Sequence, residues 1–398
     1  MRVVVTHNDF RVYFPPRLLA LQRFLEARGD ELYVVELFGE SIDYKFAEDD
    51  KSAFRHHEFL FPTYRGVSMN EIRRRLVRRL DEIAPDVVVA VGAVAFPAGA
   101  TAVYWAARRG RAVATMDNAQ WDTFPRNVLN RQVKKRIFRH VGAFLVPAPA
   151  WDGSMLRWGF RQEQIFYGLN VCDNDFWMTA PDVQDAQGAS GAPDASEGFF
   201  LSVGRLVSKK NHLDIVRAYK RYAGPRELVI IGDGPVRGEL QEYISAHGLN
   251  VRILPFKGAE ELREYYHRAA CFIIASNREE TWGIVVNEAM CGGCAVIASD
   301  QTGCASTLVR PGENGYIFPT GNVEGLAACM ADYDALTVER RKQMGRASTE
   351  IVGHWGLENF CAGIVGAVDY AVAHKRGKPC LLDKLILWLW RGRHSYQV

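Results

Sequence analysis

Apolar residues alternate along the chain between two rhythms. Short β-branched runs at residues 2–6 (RVVVT) and 31–37 (ELYVVEL) flank a segment at 16–28, ending at Gly29, whose apolar positions recur every three or four residues. The same strand-helix-strand opening returns in EIRRRLVRRLDEIA followed by PDVVVAVG, and in TAVYWAARRG followed by RAVATMD. Helical periods alternating with Val-rich runs predict parallel strands covered on both faces by helices. From 178 to 198 the rhythm stops in TAPDVQDAQGASGAPDASEG, which is rich in small and polar residues and reads as a solvated linker. It then restarts, with strands expected at 199–203, 227–231, 251–255, 271–275 and 295–299.

The expected organisation is an α/β chain with an N-terminal Rossmann-like domain over 1–177 and the linker at 178–198. A second Rossmann-like domain spans 199–365, and a helical tail over 366–398 returns to the first domain. Two such domains face each other across a cleft, with ligands held where strand C-termini meet it.

Length supports this division. A chain of 398 residues exceeds one ordinary core, and 48% hydrophobic with 24% charged residues is a globular composition. The net charge of +3 is too mild to argue for nucleic acid. Residues 87–107 carry no charge and are long enough to cross a bilayer. Gly92, Pro97 and Gly99 interrupt them, so a buried strand, a turn and a helix are expected instead. The start MRVVVTHND has no charged-then-apolar leader, and a cytoplasmic location is expected. Eight cysteines sit mostly among apolar or small neighbours, as reduced thiols do. Cys291 and Cys294, with Cys304 beyond, have zinc-like spacing, but no second close pair follows and Cys294 opens the strand CAVIAS. No metal is expected.

Candidate chemistry concentrates in the second domain. Strand FLSVG leads into Arg205-Leu-Val-Ser-Lys209-Lys210-Asn211, cations placed just past a strand end, where they can neutralise a diphosphate or simply meet solvent. Strand CFIIAS leads into Glu280 and the helix-like TWGIVVNEAMCGG containing Glu288. Eight helical residues span about 12 Å, so the two carboxylates could grip two ends of one elongated ligand, or could merely cap and solvate the helix. A helix start at Gly283 would offer N–H groups to phosphate. The turn Gly232-Asp-Gly234-Pro235 resembles a dinucleotide fingerprint, but its third glycine is late and the acidic partner strand is missing. That argues against a nicotinamide oxidoreductase and for a tight cleft-facing turn.

SVGRLVSKKN, IIGDGP, VRILPFKG and above all Glu280-TWGIVVN-Glu288-AMCGG-CAVIAS resemble glycosyltransferase family 4 over about 199–318. The resemblance implies a GT-B fold and a retaining hexosyl- or N-acetylhexosaminyl-transferase. Such an enzyme moves a sugar from a nucleotide diphosphate sugar to a glycan, lipid-linked or small-molecule acceptor in bacterial-type glycoconjugate or polysaccharide biosynthesis. By position, it implies that Arg205 and Lys210 contact the diphosphate, Glu288 the ribose and Glu280 the donor sugar. Gly204, Gly232, Gly234, Pro255, Phe256, Thr281, Trp282, Gly283 and Ile284 would line the donor pocket. Two departures stand out. Thr302-Gly303-Cys304-Ala305-Ser306-Thr307 lacks the Glu that family members often carry there. Thr115-Met116-Asp117-Asn118 has no His, so that either Asp117 takes over a sugar contact or the catalytic face is altered.

Negative charge builds on the leaving phosphate during such a transfer. Arg205 and Lys210 would stabilise it without a divalent ion, since no Asp-x-Asp triplet lies beside these loops. No cofactor beyond the nucleotide-sugar co-substrate is expected. His7, Asn8 and Asp9 after the first strand, with Asn118 and Trp121, are the acceptor-side candidates, Trp121 as a sugar-stacking face. Basic amphipathic stretches at 71–80, 130–144 and 381–393, the last with Trp388 and Trp390, suit an anionic membrane surface or helix packing, so peripheral contact with the inner face of the membrane is expected alongside a glycan or lipid-linked acceptor. The alternatives are a nucleotide-sugar epimerase of the same fold and a non-catalytic nucleotide-sugar-binding scaffold.

Overall fold

The computed structural model describes residues 1–40, 51–124, 126–181 and 198–392. The chain divides into two units: Met1–Asn170 together with the segment from Leu357 onward, and Val171–Gly356.

The first unit carries strands β1 (Arg2–His7), β2 (Glu31–Phe38), β3 (His57–Phe61), β4 (Val87–Val91), β5 (Ala112–Met116), β6 (Ala143–Val146) and β7 (Ile165–Tyr167). They pair in the order β3-β2-β1-β4-β5-β6-β7, every neighbour parallel. Between them run α1 (Phe14–Ala27), α2 (Met69–Ile83), α3 (Pro97–Arg109), α4 (Val128–Phe138) and α5 (Asp152–Trp158). Ser68 starts α2 by accepting the Glu71 N–H at 3.2 Å. Pro97 opens α3, which closes on left-handed Gly110, so the uncharged stretch 87–107 is a buried strand, a turn and a buried helix.

The second unit holds α6 (Asn174–Met178), β8 (Phe199–Val203), α7 (His212–Tyr222), β9 (Leu228–Ile231), α8 (Arg237–Ala246), β10 (Val251–Leu254), α9 (Ala259–Arg268) and β11 (Ala269–Ile274). It continues with α10 (Val285–Cys291), β12 (Ala295–Ser299), α11 (Ala305–Leu308), β13 (Gly315–Phe318), α12 (Val323–Asp334) and α13 (Val338–Gly353). Its sheet is also parallel, in the order β10-β9-β8-β11-β12-β13. Phe200, Ile230, Ile273 and Ile297 from the four central strands are fully buried beneath Tyr219 of α7 and Tyr333 of α12. Each such side chain contributes roughly 1.5–3 kcal/mol through burial.

Helix α14 (Leu357–Ala373) returns to the first unit and packs across β5, β6 and β7, followed by α15 (Leu381–Leu389). The approach of α14 is close. A Cβ on Gly363 would lie 1.9 Å from the Tyr167 carbonyl oxygen. The expected boundaries therefore move. One continuous helix cannot be divided at 365, so the return to the first unit begins at Leu357. Residues 171–177 belong to the second unit, where the Asn174 side chain donates to the Val352 carbonyl at 2.9 Å. Most of the expected linker, 182–197, lies outside the described residues. Val338–Ala373 taken whole is long and apolar enough to cross a membrane, yet it is two helices, α13 and α14, parted at 354–356.

In each sheet the strand order reverses once, between β1 and β4 and between β8 and β11. A doubly wound sheet opens a crevice at the C-terminal ends of such a pair. Those two points place the candidate residues.

Candidate active site

In the second unit the loop after β8 carries Gly204, Arg205, Lys209 and Lys210, and the loop after β11 carries Glu280. Two cross-links join the loops: Asn277 N–H donates to the Lys209 carbonyl at 2.9 Å, and the Asn211 side chain donates to the Ala275 carbonyl at 3.0 Å. Lys210 forms an ion pair with Glu280, both largely shielded from solvent. Burial holds the neighbouring Lys209 below the usual lysine range, opposed by the Glu280 carboxylate. Arg205 is exposed at the mouth of the loop. A strand end thus presents one neutralised and two further cations around a single carboxylate.

Glycine is required where β8 and β9 end. A Cβ on Gly232 would sit 2.0 Å from the Gly204 carbonyl oxygen, and one on Gly234 would sit 2.4 Å from that of Leu206. Both residues have φ near +154°, which L side chains avoid. The two loops can lie against each other only because neither residue has a side chain. Arg237, not singled out from the sequence, fastens this corner by donating to the carbonyls of Gly232 and Ile253 at 3.0 and 3.3 Å. Pro255 and Phe256 follow β10 on the same side, and Phe256 is exposed.

The second carboxylate is differently placed from the expectation. Helix α10 begins at Val285, so Glu280 stands in the preceding turn, and the two carboxylates do not lie two turns apart on one helix. Glu288 is buried inside α10 and accepts the Tyr266 hydroxyl at 2.9 Å. Burial pushes its carboxyl up to about 8, against the pull of Tyr266 and Lys210. Tyr266 is a site residue that the sequence did not reveal, because it is one aromatic in the polar helix AEELREYYHR.

The Glu280 turn rests on the segment that departs from the family pattern. Gly303 N–H donates to the Glu280 carbonyl at 3.1 Å and Cys304 N–H to that of Trp282 at 2.9 Å. A Cβ on Gly303 would lie 2.2 Å from the Thr281 oxygen, so the backbone contact depends on that glycine. Thr281 and Ile284 are half-buried, and Gly283 is buried beneath Thr302. Trp282 is a correction: it is a core residue, 2% exposed, with its indole N–H on the Asn287 amide oxygen at 2.8 Å and its ring beside Trp355. Trp282→Ala is expected to destabilise the protein by about 3–5 kcal/mol, and Trp282→Phe by less. Urea unfolding of both variants measures this; unchanged midpoints would return Trp282 to the pocket wall.

In the first unit, His7 ends β1 within an aromatic ring of Phe96, Phe10 and Phe14, with centroids at 5.0, 5.7 and 6.2 Å. Burial pushes its imidazole down to about 4, so it is neutral at pH 7. Asn8 is buried and Asp9 half-buried beside it. Asp117 follows β5 directly, and its carboxylate accepts the Ala119 N–H at 3.0 Å; burial raises its proton affinity. The Asn118 carbonyl accepts the Trp151 indole at 2.9 Å. Trp121 is not an open stacking face. Trp158 lies 4.3 Å from its ring centre, and Arg131 and Lys135 stand over the ring at 5.1 and 5.3 Å.

Among the described residues no group of three or more His, Cys, Asp or Glu side chains is arranged to hold a metal ion. The cysteines are free thiols; Cys294 lies 3.2 Å from the Tyr266 carbonyl in the core.

Residues 183–350 match the family model described as Glycosyl transferases group 1. The N-acetylgalactosamine-N,N'-diacetylbacillosaminyl-diphospho-undecaprenol 4-alpha-N-acetylgalactosaminyltransferase of Campylobacter jejuni is 29% identical over 153 residues, 37% of this chain and 42% of that one. The chain spans less than half the length of such curated relatives. The lipopolysaccharide outer core galactosyltransferase WaaB superposes with a TM-score of 0.70 at 15% identity, over 93% of this chain and 99% of its own. Anabaena Alr3699/HepE, solved with UDP and glucose, gives 0.68 at 16%, over 92% and 98%. The epimerase alternative finds no counterpart among these three. Two parallel sheets of GT-B type, with the paired lysine and glutamate inside residues 183–350, make this chain similar over that segment to the glycosyl transferases group 1 family.

Proposed function

We propose that the chain is a retaining glycosyltransferase that moves a hexosyl or N-acetylhexosaminyl group from a nucleotide diphosphate sugar to a glycan, lipid-linked or small-molecule hydroxyl. The observation that carries this is the Lys210–Glu280 pair at the β8/β11 crevice, flanked by Arg205 and by a backbone corner kept open by Gly232 and Gly234. A diphosphate entering there competes with Glu280 for Lys210 and gains Arg205 as a second partner. Glu280, released from Lys210, accepts hydrogen bonds from the donor sugar. Glu288 takes the ribose hydroxyls, and Phe256, two residues past β10, offers an exposed ring for the base.

In the transfer, the bond from the anomeric carbon to the distal phosphate oxygen breaks, and its electron pair stays on the nucleoside diphosphate. The acceptor hydroxyl oxygen bonds to the same face of that carbon and passes its proton to the departing phosphate oxygen. Arg205 and Lys210 stabilise the charge where it develops. Neutral His7, with Asn8, Asp9, Asp117 and Asn118 at strand ends of the first unit, supplies the acceptor side. The setting proposed is the cytoplasm, at the inner face of the membrane.

Thermal shift against UDP, GDP, their sugars and NADH tests the reading. A rise with one nucleotide diphosphate series and none with NADH is expected, together with slow nucleotide release from the matching sugar. Binding without any release on a panel of acceptors would favour the scaffold reading. The cations are proposed to suffice without a divalent ion, so transfer is expected to persist in chelator. Loss of transfer in chelator with rescue by Mg²⁺ or Mn²⁺ would overturn that part.

A further inference from the structure

Helix α15 turns its apolar side outward. Leu387 is buried, while Leu381 is 84% exposed and Leu382, Leu385, Trp388 and Leu389 are each half exposed or more. Helix α4 packs beside it, held by the Arg136–Asp383 ion pair and by Lys134 over the Trp390 ring, and adds Val128 and Leu129, 71% and 73% exposed. Single exposed leucines are ordinary, but a cluster on two packed helices marks an interaction surface.

Charge narrows the occupant. Residues 127–139 carry five cations and no carboxylate. Residues 380–391 add Lys384 and Arg391 against Asp383, which Arg136 and His140 already engage. A second copy of this chain would bring the same cations face to face. An anionic lipid surface meets both features, apolar below the headgroups and positive among the phosphates. Helix α2, equally basic in sequence, lacks the apolar half of such a surface: its Ile72, Leu76, Leu80 and Ile83 are all buried, and Arg73 donates inward to the Trp388 and Trp390 carbonyls.

The surface is also joined to the first-unit crevice. The Trp390 indole donates to the Val94 carbonyl at 2.8 Å, Gly392 lies against the Phe96 backbone, and Phe96 packs edge-on to His7. We propose that α4 and α15 seat the first unit on an anionic bilayer, with the tail linking that seat to the β1/β4 crevice. The use of the seat, delivery of a lipid-borne acceptor, rests on the transfer reading; the membrane contact does not.

Flotation of the full chain tests it, using phosphatidylcholine vesicles alone or with about 30% phosphatidylglycerol. Binding to the anionic vesicles is expected. It should fall about tenfold or more in a Leu385→Ser/Trp388→Ser double variant and weaken in about 0.5 M salt. Melting temperature and any nucleotide-induced shift should be unchanged in that variant. The inference is overturned by absence of flotation at low salt, by equal binding to phosphatidylcholine alone, by indifference to the double substitution, or by sedimentation showing a dimer that the substitution dissociates. Flotation as expected with no nucleotide shift in any form would sink the transfer reading and leave the membrane contact standing.

Discussion

Lys210→Ala is expected to lower the rate of sugar transfer by about 10²–10³-fold, equivalent to about 3–4 kcal/mol of lost charge stabilisation. Two effects combine. The departing diphosphate loses a cation where its charge builds, and Glu280 is left shielded from solvent without the partner that it has in the free protein. The loss should fall on kcat more than on KM, because Arg205 remains to hold the ground-state diphosphate. Glu280→Gln should cost less, since the neutral amide still meets the sugar hydroxyls and frees Lys210. Coupling through one ion pair makes the double variant barely worse than Lys210→Ala alone. Steady-state kinetics on the four proteins checks this; additive losses would show that the pair does not act as a unit.

Glu288 carries the second large effect, and its sign follows from burial. Its folded value of about 8 lies above its ordinary 4.5, so between those pH values folded protein keeps a proton that the unfolded chain has released. The stability that this group contributes is therefore fullest below pH 4.5, declines as pH rises toward 8, and levels off beyond. The slope can reach about 1.4 kcal/mol per pH unit. Relative to Glu288→Gln, the wild type should lose about 2 kcal/mol between pH 6 and pH 8 in urea unfolding. A constant difference would mean that the carboxyl is already ionised. Ribose hydroxyls donate to a carboxylate, so nucleotide uptake near pH 7 should also expel close to one proton. Calorimetry in buffers of different ionisation heat reads that proton directly, and a heat independent of buffer would exclude the ribose role. Tyr266→Phe removes the hydroxyl that favours the charged form, and should carry the whole transition to higher pH.

The sequence displays some of these features and hides others, for a consistent reason. Strands were legible where they are central, as at 199–203 and 295–299, because burial on both faces demands unbroken Val, Ile and Phe. Edge strands β3, β7 and β13 escaped, as did the inner four-residue strand β6, because HEFLF, IFY, GYIF or AFLV alone is too short to carry a period. The loop cations and Glu280 were legible because chemistry at the C-terminal end of a parallel strand follows immediately after an apolar run. Trp282 misled, since an aromatic beside glycine reads alike whether it lines a pocket or fills a core. Trp121 misled similarly, because the cations that cover it sit ten and fourteen residues onward.

By itself, then, the order of residues determined two parallel α/β layers and the loops in which Arg205, Lys210 and Glu280 stand. Those properties depend on neighbours a few positions away, through helical and strand periods and through glycines that must turn. Only the tertiary structure decided that Lys210 meets Glu280 seventy residues later, that Tyr266 holds a buried Glu288, and that α14 crosses back to the first sheet. It also decided that α15 shows most of its leucines outward while α2 turns Arg73 inward onto the tail. Such pairings arise from packing between distant segments, where burial sets proton affinity and exposure, and no local period along the chain encodes them.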